Sequence, residues 1–189
     1  KTGMLADRAT VEAVVEGLEA FPNVPVVVDP VMVATSGDVL LQPDAVEAVR
    51  TQLIPRAEVV TPNIREAARL LETAPAASLD EMEEQGRALL ALGPKAVLVK
   101  GGHAEGSEAT DILVFQAGSL RFSKPRIVTR NTHGTGCTLA AAIAAGLARG
   151  DALSKAVGDA KDYVWGAIDA ARNLEIGSGQ GPVNHLYVL

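Results

Sequence analysis

The sequence predicts an α/β fold: a three-layer α/β/α sandwich around a mostly parallel, doubly wound sheet, with an antiparallel hairpin at one edge. Three observations predict it. Short apolar runs at residues 24–28, 58–61 and 96–100 each end at a polar, proline or glycine turn. Their apolar residues are continuous and mostly β-branched rather than alternating, as expected for strands buried on both faces. Helical periodicity fills the segments between them, which is the alternation of a parallel sheet with crossover helices. Finally, residues 111–115 and 119–123 flank Gln116-Ala117-Gly118, the composition of a hairpin.

Taken in order, Asp7 or Thr10 caps a first helix that carries Val11, Val14, Val15 and Leu18 on one face. Phe21-Pro22-Asn23 ends it, and the strand at 24–28 stops at Asp29-Pro30. Pro43 starts a second helix with Val46, Val49 and Leu53 on one side, closed by Pro55. The strand at 58–61 again meets a proline, and Asn63 opens a helix through Leu70-Leu71. Ser78 with Glu81 three residues on is a capping box for a helix over 79–92, which Gly93-Pro94 breaks. The strand at 96–100 runs into Gly101-Gly102-His103. After the hairpin, an alanine-rich helix reaches Leu147, and Asp151 or Ser154 begins another to Asn173. No repeat and no long linker divides residues 1–189, so a single domain is expected.

Composition narrows the function. Aromatic residues are 3% of the chain, the formal net charge is −6, and there is no basic run. These argue against a nucleic-acid partner. Pro, Gly or charge interrupts every apolar stretch before it reaches membrane-spanning length, and no signal-peptide pattern opens the chain. Cys137 is the single cysteine and cannot form an internal disulfide, so a cytoplasmic location is the default expectation.

The stretch with the clearest chemistry is Arg130-Asn131-Thr132-His133-Gly134-Thr135-Gly136-Cys137-Thr138-Leu139. Its glycines sit directly ahead of a strong helix former. A glycine-rich turn feeding a helix leaves several N–H groups unpaired, and the helix dipole adds positive charge there. Such an end holds anions, phosphate above all. The plainer reading is a tight turn before a buried helix. In an open α/β sheet, ligands bind beyond the carboxyl ends of the strands. The polar residues there are Asp29, then Thr61 with Asn63, then Lys100 with His103, then the loop from Asn131 to Cys137. Asn63 and Glu66 have the spacing of a simple helix cap. They could also organise Mg²⁺ beside a phosphate, with Asp29 as a second carboxylate. Lys100 either snorkels to the rim or faces a phosphate.

Four motifs carry a family resemblance. Val28-Asp29-Pro30-Val31-Met32-Val33-Ala34-Thr35-Ser36-Gly37, Val60-Thr61-Pro62-Asn63-Ile64-Arg65-Glu66-Ala67, Val99-Lys100-Gly101-Gly102-His103 and Asn131-Thr132-His133-Gly134-Thr135-Gly136-Cys137 closely resemble hydroxymethylpyrimidine/phosphomethylpyrimidine kinases. These form the thiamin-biosynthesis branch of the ribokinase-like superfamily. Gly179-Gln180-Gly181-Pro182-Val183-Asn184-His185 is similar to the family's C-terminal stretch.

The resemblance implies ATP-dependent phosphorylation of 4-amino-5-hydroxymethyl-2-methylpyrimidine, then of its monophosphate. It implies that the amides of Gly134, Thr135, Gly136 and Cys137 stabilise the transferring phosphoryl group, and that Cys137 stands where sugar kinases of the superfamily carry an aspartate base. Lys100, Asn63, Thr61, Thr132 and His133 fall on the ATP side, Asp29 and Glu66 with Mg²⁺, and Met4 at the pyrimidine pocket. Helix N-termini favour thiolate, which would let Cys137 accept the hydroxyl proton. The family also begins earlier, with a glycine-rich first strand and a flap, so the chain is expected to be incomplete at its N-terminus. Homodimers are common in the superfamily and are the expected assembly by analogy. The alternatives are a pyridoxal or pyridoxine kinase, or a truncated, non-catalytic nucleotide-binding remnant.

Overall fold

The computed structural model describes residues 1–32, 40–102 and 106–188. Among the described residues, five strands form one sheet in the order β1-β2-β3-β4-β5, so each strand pairs with its neighbour in sequence. The strands are β1 (Val27–Val28), β2 (Val59–Val60), β3 (Ala96–Val99), β4 (Glu108–Phe115) and β5 (Gly118–Pro125). The β1–β2 and β2–β3 pairings are parallel, whereas β3–β4 and β4–β5 are antiparallel. Thr2 adds a parallel bridge to Val28 beyond β1.

Alternate residues of the strands feed two separate cores. Val28, Val60, Val97, Val99, Ile112 and Val114 face one layer, made by α1 (Arg8–Glu19), α2 (Pro43–Ala48), α3 (Ile64–Leu71) and α4 (Leu79–Leu90). Val27, Val59, Ala96, Leu98 and Leu113 face the other, made by α5 (Thr135–Ala148) and α6 (Leu153–Ala171). This is why β1, β2 and β3 read as unbroken apolar runs: neither of their faces meets water. Small residues set the helix spacing on the second face. A Cβ on Gly146 of α5 would press on Ala156 of α6.

Several boundaries differ from the sequence reading. The run at 24–28 contributes only Val27 and Val28 to the ladder, and Val24 is 55% exposed. Pro25 has no N–H to donate there. The helix after Ser78 ends at Leu90, two residues early, ahead of Gly93 with its φ of +108°. Ser78 does accept from the Glu81 amide, but the Glu81 carboxylate takes the Ala77 N–H at 2.6 Å instead of closing a reciprocal box. Neither Asp151 nor Ser154 caps α6; Ala152 holds that position, and the Asp151 carboxylate is engaged by Arg149 and Lys155. The α6 helix stops at Ala171 rather than Asn173. The hairpin is longer than read, with eight residues in each strand. Among the described residues, no helix is long and apolar enough to cross a membrane.

Candidate active site

The carboxyl ends of β1, β2 and β3 deliver three charges to one place. Asp29 follows β1 and is 1% exposed. Its Oδ1 accepts from Lys100 Nζ at 2.7 Å and from Thr61 Oγ1 at 3.2 Å. Among the described residues its buried Oδ2 has no hydrogen-bond partner, with Lys1 Nζ 3.9 Å away. The β2–β3 pairing continues past both strands as a bridge between Asn63 and Lys100, and the Lys100 amide donates to the Pro62 carbonyl. That bridge sets the start of α3 beside Lys100. Asn63 caps α3 by accepting from the Glu66 amide at 2.9 Å, and Glu66 Oε2 returns the bond to the Asn63 amide at 2.7 Å. The same Oε2 lies 4.0 Å from Lys100 Nζ.

These contacts shift two groups. Burial is the largest influence on Glu66 and pushes its carboxyl above the usual carboxylate range; Lys100 and the Asn63 amide oppose this, and the Asp29 charge adds to it. Burial works against the Lys100 charge too, but Asp29 and then Glu66 outweigh it and hold the ammonium above the usual lysine range.

The glycine turn meets this cluster from the other side of the sheet. Gly134 caps α5 with φ +86°, a conformation that glycine adopts without strain, and it brings no side chain of its own to the helix end. The Thr138 amide makes the first bond of the helix, to the Gly134 carbonyl at 2.9 Å. The amides of Gly136 and Cys137 precede it and lack intrahelical acceptors. Lys100 Nζ lies so near that a Cβ on Gly136 would stand 3.3 Å from it. An anion placed here meets a helix N-terminus and an ammonium together, with two carboxylates behind the ammonium. Cys137 is exposed on the first turn. With Thr138, Ala141, Ala142, Tyr163 and His185 it lines an open groove of about 340 Å³. Thr138 Oγ1 donates to the Gly134 carbonyl at 2.7 Å and lies 2.9 Å from His185 Nε2, so the C-terminal tail is linked to the glycine cap.

The structure gathers Asp29, Thr61, Asn63, Glu66, Lys100 and the Gly134–Cys137 turn. Thr61 is fully buried, and its hydroxyl is spent on Asp29. The Asn63 side chain is likewise taken by its cap. Thr132 offers its carbonyl to the Thr135 amide, and His133 is exposed, with its amide on the Gly181 carbonyl. Met4 is 52% exposed, two residues past the Thr2 bridge and so at the same end of the sheet. His103 and residues 33–37 of the first motif lie outside the described residues.

The Asp111–Lys161 pair and the tie made by Asn131 escaped the sequence reading. Asp111 and Lys161 form a buried ion pair at 2.7 Å. Their signal is a charge inside an otherwise apolar face, Lys161 among Val157, Ala160 and Val164. Asn131 Nδ2 donates to the Ala171 and Leu174 carbonyls at 2.6 and 2.8 Å, tying the turn to the end of α6. A side chain on Gly181 would collide with Asn131 Oδ1, which explains a glycine in the tail motif.

Comparison with known proteins fits this geometry. The hydroxymethylpyrimidine/phosphomethylpyrimidine kinase of Rhizobium meliloti is 54% identical over 187 residues, covering 99% of this chain and 70% of the relative. The crystal structure of a phosphomethylpyrimidine kinase from Clostridium difficile superposes with a TM-score of 0.74 at 38% identity, covering 88% of this chain and 67% of that one. The ADP complex of Bacillus subtilis pyridoxal kinase superposes with a TM-score of 0.91 at 32% identity, covering 99% and 70%. The fold is thus the ribokinase-like one. A family model described as phosphomethylpyrimidine kinase matches residues 1–184, and the chain belongs to that family.

Proposed function

We propose that the chain catalyses ATP-dependent phosphorylation of 4-amino-5-hydroxymethyl-2-methylpyrimidine and then of the resulting monophosphate. The observation that carries this reading is the Lys100 ammonium, held between the Asp29 and Glu66 carboxylates and the N-terminus of α5. Phosphoryl transfer depends on positioning and on neutralising spread negative charge, and these groups supply both. Lys100 and the Gly136 and Cys137 amides receive the transferring group. Cys137 takes the hydroxyl proton as the substrate oxygen bonds to phosphorus and the bond to ADP breaks. The second acceptor is a phosphate monoester, mostly dianionic at neutral pH, which needs no base. Met4 lines the pyrimidine side.

The residues present also suit Mg²⁺. Asp29 Oδ2 is a buried oxygen with no hydrogen-bond partner among the described residues, and Glu66 is a second buried carboxylate close by. Two carboxylates are enough, since Mg²⁺ keeps several waters and shares substrate phosphates. Bound there, the ion would neutralise phosphate charge.

The Bacillus subtilis likeness makes pyridoxal the rival acceptor, whereas the 54% identity to a pyrimidine kinase favours the pyrimidine. Release of ADP from Mg-ATP with each acceptor separates them: turnover on the pyrimidine is expected, and turnover on pyridoxal alone would reject the assignment. Cys137→Ala should slow the first phosphorylation about 10²-fold and the second far less. Equal slowing of both steps would mean that Cys137 acts through geometry and not as a base.

A further inference from the structure

Asp111 lies in β4 on the sheet face covered by α5 and α6, and is 4% exposed. Both of its oxygens are used. Oδ2 accepts from Lys161 Nζ of α6 at 2.7 Å, and Oδ1 accepts from the Gly101 amide at 2.9 Å. Gly101 is the residue after Lys100, at the point where the chain leaves β3. It is packed so tightly on the Thr110 carbonyl that any side chain would collide. The following carbonyl, that of Gly102, accepts from Arg126 at 2.6 Å. The path out of Lys100 is therefore held by a backbone contact and two charged side chains, and one of these answers to α6. The α6 helix also packs along α5, whose N-terminus meets the Lys100 ammonium. Through Asp111, one helix references both halves of the anion site: the amides of α5 and the cation of β3.

A buried ion pair is weak ground for stability, because desolvation offsets most of the attraction. An apolar pair of similar size would pack that face as well. What an apolar pair cannot do is accept the Gly101 N–H.

We propose that Asp111 and Lys161 are positioning residues for phosphoryl transfer: Lys161 orients the Asp111 carboxylate, which fixes the Gly101 amide and so aims Lys100 at the end of α5. This rests on the kinase reading of the site.

Two double variants test it without leaving a lone buried charge. Asp111→Asn with Lys161→Gln keeps an oxygen for the Gly101 amide and a partner for the new amide group. Asp111→Leu with Lys161→Met keeps only the volume. Urea unfolding should show both variants cooperatively folded, the Leu/Met variant the less stable because the buried Gly101 amide has lost its acceptor. Both are then compared for affinity toward a non-hydrolysable ATP analogue by calorimetry, and for kcat and the two KM values in ADP release. The Asn/Gln variant should stay within about threefold of wild type. The Leu/Met variant should lose about tenfold or more in kcat and in analogue affinity, with the KM of the acceptor unchanged, since small misplacements of a charged group cost this much. A folded Leu/Met variant with wild-type affinity and kcat would overturn the proposal, as would equal losses in both variants. Analogue affinity does not depend on the acceptor, so a wrong acceptor assignment would appear separately, as wild-type protein that binds the analogue without turning over the pyrimidine.

Discussion

Lys100→Met is expected to lower kcat about 10²–10³-fold, the usual consequence of removing one preorganised group from a developing anionic charge. The KM of the pyrimidine should hardly move, because Lys100 faces the α5 end and the carboxylates. The same change should also expose how the site is balanced. Lys100 Nζ is the cation 2.7 Å from Asp29 and 4.0 Å from Glu66, both buried. Losing one member of such a set costs about 3–5 kcal/mol while the remaining charges stay ionised. Glu66 is already raised, and Lys100 is the main influence holding it down, so its folded-state value rises further without the lysine. A carboxyl raised in the folded state favours folding below its unfolded value, and that contribution disappears as pH climbs through the folded value. The variant should therefore lie closest to wild type in urea unfolding near pH 5 and furthest from it near pH 8. A stability deficit independent of pH would contradict the charge balance described here.

Glu66→Gln should separate two roles that one side chain combines. The amide oxygen can still accept the Asn63 N–H, so the cap of α3 survives. The buried negative charge does not. In the wild type this charge disfavours folding as pH rises from the ordinary glutamate value of 4.5 through the raised one. The variant's stability should be flatter across that window and equal or greater at pH 8. Activity should go the other way, falling about 10–100-fold at fixed Mg²⁺, with part of the loss recovered at higher Mg²⁺. Unchanged activity with an unchanged Mg²⁺ requirement would leave Glu66 as a helix cap only.

The layer order was legible because β1, β2 and β3 are buried on both faces, and such strands leave unbroken apolar runs. Their lengths were not. Nothing in Val24-Pro25-Val26 says that pairing starts only at Val27; that depends on where the neighbouring strand begins. The Asn63 cap was legible from spacing alone, and the Glu66 oxygen that closes it also lies 4.0 Å from Lys100 Nζ. The direction of Lys100 was open between rim and site, since its partner Asp29 is 71 positions away. Asp111 and Lys161 are 50 positions apart, and a lone charge on an apolar face does not name its partner until the hairpin and α6 are stacked. The caps expected for α6 failed for a similar reason: Asp151 found cationic partners, and a carboxylate already engaged does not turn to the helix end.

The strictly sequential strand order has a consequence for how the chain reaches this state. The β4–β5 hairpin, with its two-residue connection, and the adjacent α5–α6 pair are built from contacts close in sequence, which form fast. β2 and β1 must then join through crossover segments, each closing a longer loop. Asp29 follows β1 and Lys100 follows β3, so the charge cluster assembles only when both parallel pairings are in place. Nascent chains released from the ribosome would acquire helical and hairpin signals well before catalytic competence.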